Sequence, residues 1–226
     1  MRTTTDIDGR TTHYTSTGQG EPILILDDLD DFDDFDDFGD RDSPAGTAAA
    51  FDLLTDWFLV LTPDWRHPDG AESAATTTTT AKSTDTSTAT ANPTAVPLDT
   101  TSAGPADPLP TIAAFIEALD LRPVRLVGRG SGAGLALRLA MERPDLVRQA
   151  AVVGSLPVCD GLATMTVPLL VLQGDDEALD VAHGAALARA VPDGRLAVLP
   201  GSSRLLPEAK PELVGLILLD FFESGA

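Results

Sequence analysis

Short apolar runs alternate along the chain with longer segments whose apolar residues have helical spacing. The runs predict strands at residues 22–26, 57–61, 124–127, 150–153, 167–172 and 195–199, and a further strand is predicted at residues 11–17, which are mostly polar. The helical spacing predicts helices at residues 45–55, 109–119, 131–142, 179–191 and 207–222. Continuous apolar strands separated by helices are typical of a parallel sheet that is covered on both faces.

The pattern therefore predicts an α/β fold in which the strand ends share one edge of the sheet. Those ends are Asp27, Asp64, Gly128, Ser155, Gly174 and Gly201. Ligands of such folds bind outside the carboxyl ends of the strands, so we expect the functional site at this edge.

An acidic segment at residues 27–42 breaks the pattern, with ten aspartates in sixteen residues and three successive Asp-Asp-Phe repeats. The period of three suits neither a strand nor a long α-helix. We expect a solvated acidic loop that is anchored by a few Phe side chains. The alternatives are a docking surface for a basic partner and a metal site, for which the nearest candidates are Asp27, Asp28, Asp30 and Asp31. The spacing lacks the Gly and closing Glu of a calcium-binding loop, so the metal signal is weak.

A second unusual segment, residues 70–106, consists mostly of Thr, Ser, Ala and Pro and has few large apolar residues. Such a composition buries too little surface to offset the entropy of ordering. We expect a flexible loop, with a lid over a pocket as the alternative. The whole chain, residues 1–226, is then one domain that carries two unusual loops.

Charge narrows the choice of partners. The 226 residues include 15 basic and 35 acidic side chains, and the net charge is −20. This charge disfavours nucleic acid and anionic membranes and is compatible with a basic protein or peptide partner, a small-molecule ligand, or simple solubility. The single cysteine, Cys159, excludes an intramolecular disulfide. The absence of a membrane-length apolar run and the polar N-terminus predict a soluble cytoplasmic protein, whose oligomeric state the sequence leaves open.

The stretch from Leu126 to Gly134 has the shape of a nucleophile elbow, an apolar strand that enters a Gly-dense turn and then a helix. Gly128 and Gly132 fit the outer glycines of Gly-x-Ser-x-Gly, which leaves Gly130 at the position of the nucleophile. Glycine has no side chain that could attack a carbonyl. A dinucleotide-binding loop is the less favoured interpretation, because that motif belongs on an early βαβ unit; we therefore expect no cofactor.

The order of these elements resembles that of the α/β-hydrolase family over nearly the whole chain. Residues 8–20 look like the first hairpin of the family, residues 58–66 like its fourth strand, and residues 126–147 like the elbow, its helix and the lead into the sixth strand. Residues 167–174 and 198–201 resemble the strands before the acid and the histidine. The resemblance implies a mostly parallel sheet with helices on both faces. Few residues separate Val153 from Val167, which implies that the cap domain of many members is absent.

The departures from the family pattern fall on the catalytic positions. The resemblance places Gly130 at the nucleophile, Glu177 at the acid and Arg204 at the histidine. Arginine stays protonated and cannot act as a general base at neutral pH. Asp27 and Asp28 stand where the oxyanion-hole segment is expected, and a carboxylate there opposes the developing negative charge.

We therefore predict a catalytically degenerate, non-hydrolytic α/β-hydrolase-like protein that acts as a binding or partner protein. The expected pocket rim consists of Asp27, Asp28, Arg129 and Ser131. One alternative is an enzyme of altered chemistry (a cyclase, lyase or isomerase) that uses pocket carboxylates.

The third possibility is a serine esterase in which Ser131 is a displaced nucleophile. Ser131 would need a base, and the chain has only His13, His67 and His183. At the start of a helix its hydroxyl more often caps backbone N–H groups. An ion pair between Glu177 and Arg204 across the former active site is a further structural possibility.

Overall fold

The computed structural model describes residues 2–7, 10–27, 49–64, 107–154, 160–175, 181–203 and 206–225. All of the acidic segment except Asp27, and the whole of the Thr-rich segment, therefore lie outside the described residues. No helix in these ranges is long and apolar enough to span a membrane.

Eight strands form one sheet in the order β1-β2-β4-β3-β5-β6-β7-β8. The strands are β1 (Arg2–Ile7), β2 (Arg10–Thr17), β3 (Glu21–Leu26), β4 (Phe58–Asp64), β5 (Val124–Arg129), β6 (Val147–Val153), β7 (Leu169–Gly174) and β8 (Gly194–Leu199). β2 runs antiparallel to β1 and β4, and all the other neighbours are parallel. The predicted mostly parallel sheet is confirmed.

Alternation along the strands divides the core into two layers, one on each face of the sheet. Leu24 and Leu26 of β3 join the cluster that packs against the helices on one face, whereas Ile23 and Ile25 join the cluster on the other. The first face carries α1 (Leu109–Ala118), α2 (Ser131–Glu142) and α3 (Val181–Ala190). The second carries helical residues 49–52, the 3₁₀ turn Leu53–Asp56 and, near the C-terminus, α4 (Leu206–Ala209) and α5 (Pro211–Glu223).

Two features of the fold differ from the sequence prediction. The prediction of a single closing helix at residues 207–222 is wrong. The helix is interrupted at Lys210, whose φ and ψ are −141° and 60°, and forms α4 and α5 instead. Pro211 causes the break, since a residue before proline is disfavoured in the helical conformation. The structure also adds β1, an edge strand that the sequence analysis missed because its residues are mostly polar. The connection at residues 154–168 is too short for a cap domain and contains only a 3₁₀ turn, Leu162–Thr164, among its described residues.

A buried polar network fastens the C-terminal helix to the sheet at the edge opposite the strand carboxyl ends. Arg125 is only 1% exposed and its Nη1 lies 2.5 Å from Oε2 of Glu21. Its Nε donates to Oε1 of Gln149 (3.1 Å) and its Nη2 to the carbonyl of Phe222 (3.3 Å). Nε2 of Gln149 donates to the carbonyl of Phe221 at 2.8 Å. These bonds satisfy carbonyl groups at the end of α5 that the helix itself leaves without partners.

The Glu21 ion pair predicts a specific dependence of stability on pH. The hydrogen bond from Arg125 holds the pKa of the Glu21 carboxyl below its ordinary value, and Arg148 adds to the effect. Because the folded-state pKa lies below the unfolded-state value of about 4.3, this carboxylate stabilises the fold above that pH, and the contribution is lost as the pH falls through the folded-state pKa.

We therefore expect Glu21→Gln to lower the free energy of unfolding at pH 7, and the deficit to shrink as the pH falls below about 4. Urea unfolding of wild type and variant between pH 7 and pH 3.5 measures this, and Glu223→Gln, at the exposed end of α5, is the matched control. A deficit of the same size at every pH would contradict the assignment.

Candidate functional site

The candidate site lies where the connections of the sheet reverse direction. β3 leads to β4 on one side, and its other neighbour β5 leads to β6 on the opposite side. Ligands of open α/β sheets bind at such a switch point, in the crevice outside the carboxyl ends of the strands. Asp27 directly follows β3, and Arg129 is the last residue of β5. Both residues were predicted at the pocket rim, and their positions in the sheet bring them together.

The turn between β5 and α2 is centred on Gly130. Its φ of 51° and ψ of −129° lie in a region that residues with side chains rarely adopt. In serine hydrolases with a nucleophile elbow, the nucleophile sits on this kind of sharp, strained turn between strand and helix. Ser131 is one residue later and is the first residue of α2. In this structure the residue at the strained position is therefore the glycine.

The flanking glycines allow strand and helix to pass very close together. A Cβ on Gly128 would lie 2.7 Å from both Cα of Ala133 and the carbonyl oxygen of Gly132. A Cβ on Gly132 would overlap the backbone carbonyl group of Leu26 at the end of β3. Both contacts are with backbone atoms, which cannot rotate away. The spacing of small residues is thus explained by packing, whether or not the turn carries a nucleophile.

Three charged side chains meet beside this turn, and we call them the switch-point ion cluster. Nη2 of Arg129 lies 2.7 Å from Oε1 of Glu208, and Nη1 lies 3.5 Å from Oδ2 of Asp27. The side chains of Arg129, Glu208 and Asp27 are 13%, 21% and 37% exposed. The cluster therefore joins the ends of β3 and β5 to helix α4. Glu208 was not predicted from the sequence, because it lies 79 positions from Arg129 and belongs to no local motif.

Asp175, which follows β7, links the carboxyl ends of β7 and β8 by hydrogen bonds. Its Oδ1 accepts hydrogen bonds from the backbone N–H groups of Gly201 (2.5 Å) and Ser202 (3.3 Å). Nζ of Lys210 donates to the carbonyl of Pro200 on the same turn. The turn that leads toward residue 204 is therefore held from two sides.

The remaining predicted site residues fall in different places. His13 lies on β2, three strands away from β5, opposite Asp64 in the register, and His183 lies on α3. Several others lie outside the described residues: Asp28, Asp30, Asp31, His67, Glu177 and Arg204. The proposed pair of Glu177 and Arg204 thus stays a prediction. The described residues contain no group of three or more His, Cys, Asp or Glu side chains that could hold a metal ion.

Comparisons by sequence give no relatives, because no family model matches the chain and no curated protein matches it either. Solved structures do match over its full length. A predicted CIB-like hydrolase of Thermoplasma acidophilum superimposes with a TM-score of 0.70 at 15% identity, covering 99% of this chain and 98% of the other.

Two further solved structures also superimpose on nearly the whole chain. A meta-cleavage product hydrolase of Pseudomonas fluorescens gives a TM-score of 0.68 at 12% identity, with 99% and 98% of the chains covered. An α/β-hydrolase enzyme from a sediment metagenome gives 0.61 at 16% identity, with 94% and 95% covered. Together with the strand order, these matches show that the chain has the α/β-hydrolase fold.

Proposed function

We propose that this protein uses the α/β-hydrolase fold without hydrolysis and acts as a binding or partner protein. The observation that carries the proposal is the conformation of Gly130, whose φ of 51° and ψ of −129° put it on the strained turn between β5 and α2. A serine hydrolase needs an activated hydroxyl at this point, and glycine offers no attacking atom.

The surroundings of the turn support the same proposal. Asp27 follows β3, where the family resemblance places the oxyanion-hole segment, and a carboxylate there disfavours an oxyanion. Arg129, next to the turn, forms ion pairs with Asp27 and Glu208. The family position of the histidine is Arg204 in the sequence, and an arginine cannot take a proton from a nucleophile at neutral pH.

The partner we propose is a basic protein or peptide, with a small-molecule ligand as the alternative, in the cytoplasm. The net charge of −20 attracts basic partners and repels nucleic acid. Ten aspartates within residues 27–42 place a large share of this charge next to the end of β3 in the sequence.

A second candidate function is an enzyme of altered chemistry, such as a cyclase, lyase or isomerase. The observation that favours it is that two carboxylates, Asp27 and Glu208, lie at the switch point, where a carboxylate can act as acid or base. The third candidate is a serine esterase that uses Ser131 at the start of α2.

Hydrolysis of p-nitrophenyl acetate by wild type and by Ser131→Ala separates the non-hydrolytic binding protein from the serine esterase. We expect the two proteins to give the same slow background rate, because neither presents an activated hydroxyl. Saturable wild-type turnover that disappears in Ser131→Ala would overturn the proposal in favour of the esterase. Hydrolysis that Ser131→Ala retains and Asp27→Asn loses would show that the Asp27 carboxylate activates water for attack on the ester, and it would overturn the non-hydrolytic proposal as well.

A further inference from the structure

Strand β8 is one of the two edges of the sheet, and alternate residues turn their backbone groups outward. The N–H of Leu169 in β7 donates to the carbonyl of Asp193, just before β8, at 2.9 Å. Successive residues of a strand direct their N–H and C=O groups to opposite sides, so those of Gly194, Leu196 and Val198 point away from β7. No described strand lies beyond β8. The outer side of β8 is therefore a template on which another strand can pair.

This edge lacks the features that usually prevent strands from pairing. β8 contains no proline or lysine, and its register with β7 is regular along the strand, without a bulge. Leu196, in the middle of β8, is 37% exposed. The one charged side chain, Arg195, contacts Asp193 of the same chain at 3.6 Å and lies over the ring of Phe221, 5.4 Å from its centroid. An apolar side chain is thus exposed where the backbone can accept a partner.

A second copy of β8 fits this edge in an antiparallel register centred on Leu196. With the two Leu196 residues opposite each other, Gly194 of each copy lies opposite Val198 of the other, and all the outward-facing residues form hydrogen-bonded pairs. The Leu196 side chains become neighbours on one face of the sheet. Arg195 lies opposite Ala197, so no like charge faces it directly. The edge is therefore self-complementary about a two-fold axis, as a C2 interface requires.

Helix α3 adds charge complementarity to the same arrangement. It packs against β7 and β8, on the face of the sheet that carries Leu196. α3 contains no carboxylate, and Arg189 is exposed in its last turn. The sequence just before the helix includes Asp176, Glu177 and Asp180. Since the two-fold axis makes the two α3 helices antiparallel, the basic end of each helix is directed toward the acidic end of the other.

We propose that two copies of this chain associate edge to edge through β8 and form a two-fold dimer with one continuous sheet. The basic side chains Arg189 and Arg195 disfavour the basic partner proposed above at this particular edge, which leaves a second copy as the occupant. β8 lies three strands away from β5, so the interface is separate from the switch point. The dimer is therefore independent of whether the protein hydrolyses esters.

Sedimentation velocity of the full chain, from about 1 to 100 μM at physiological salt, tests the association. We expect a monomer–dimer equilibrium for wild type. Leu196→Glu should raise the dissociation constant about tenfold or more, because two carboxylates would lie side by side across the axis. Thr4→Glu, which adds the same charge at an exposed position of the other edge strand, β1, should leave the constant unchanged. A chain that stays monomeric throughout, or a dimer that Leu196→Glu does not weaken, would overturn the proposal.

Disulfide cross-linking tests the register and does not depend on the folding of Leu196→Glu. Leu196→Cys and Val198→Cys are each made in a Cys159→Ser background, because Cys159 is the only native cysteine. In the proposed register the two positions 196 have Cα atoms about 5.5 Å apart, within reach of a disulfide. The two positions 198 are four residues out of register and lie roughly 13 Å apart. We expect a covalent dimer on mild oxidation of Leu196→Cys only. No cross-link at 196, or equal cross-linking at both positions, would overturn the proposed pairing.

Discussion

Replacement of Arg125 by alanine should destabilise the protein by about 3–5 kcal/mol, because it leaves a cavity and removes the donor of two buried acceptors, each worth about 1–3 kcal/mol. The guanidinium is 1% exposed and serves Glu21, Gln149 and the carbonyl of Phe222. Its loss leaves a cavity against the ring of Phe58, whose centroid lies 4.9 Å from the guanidinium carbon. It also leaves two buried acceptors, Oε1 of Gln149 and the carbonyl of Phe222, without their donor. The midpoint of urea unfolding measures the change.

Arg148→Ala is the matched control for this prediction. Arg148 pairs with the same Glu21 carboxylate at 3.2 Å, but its side chain is far more exposed. An exposed pair contributes about 1 kcal/mol or less. Equal losses in the two variants would show that the Arg125 network does not fasten α5 to the sheet.

Gly132→Ala should cost about 3 kcal/mol or more, at the upper end of the range for overpacking. The added methyl group would overlap the backbone carbonyl of Leu26, so the end of β3 and the start of α2 would have to move apart. Thermal or urea unfolding gives the loss in stability. Ser131→Ala, one residue away, adds no bulk and should cost about 1 kcal/mol or less. A stable Gly132→Ala would contradict the close packing of helix and strand at the elbow.

The sequence predicted the parallel sheet because its strands are buried on both faces and read as continuous apolar runs. Residues 22–26 and 167–172 are of this kind. β1 was not predicted because it lies at the edge of the sheet and pairs only with β2, and among its residues 3–7 Ile7 alone is buried. The break at Lys210 was missed because the apolar spacing continues across it, whereas Pro211 does not allow the helix to continue.

The candidate site was predictable only where it is local in sequence. Gly128, Gly130 and Gly132 lie within one turn, and their spacing alone indicated an elbow. Asp27 was predicted at the rim as a strand end and Arg129 as part of the elbow, and the structure places Arg129 at the end of β5. Glu208 lies at the site because α4 packs beside it. Its contact with Arg129 is a tertiary contact, which no local sequence pattern predicts.

Reaction of the wild-type protein with a fluorophosphonate, read by intact mass, shows whether the elbow carries a nucleophile. We expect no added mass, because Gly130 stands at the turn where a serine hydrolase carries its nucleophile. A stoichiometric adduct that maps to Ser131 and disappears in Ser131→Ala would contradict it, and would identify a serine hydrolase whose nucleophile is displaced by one residue.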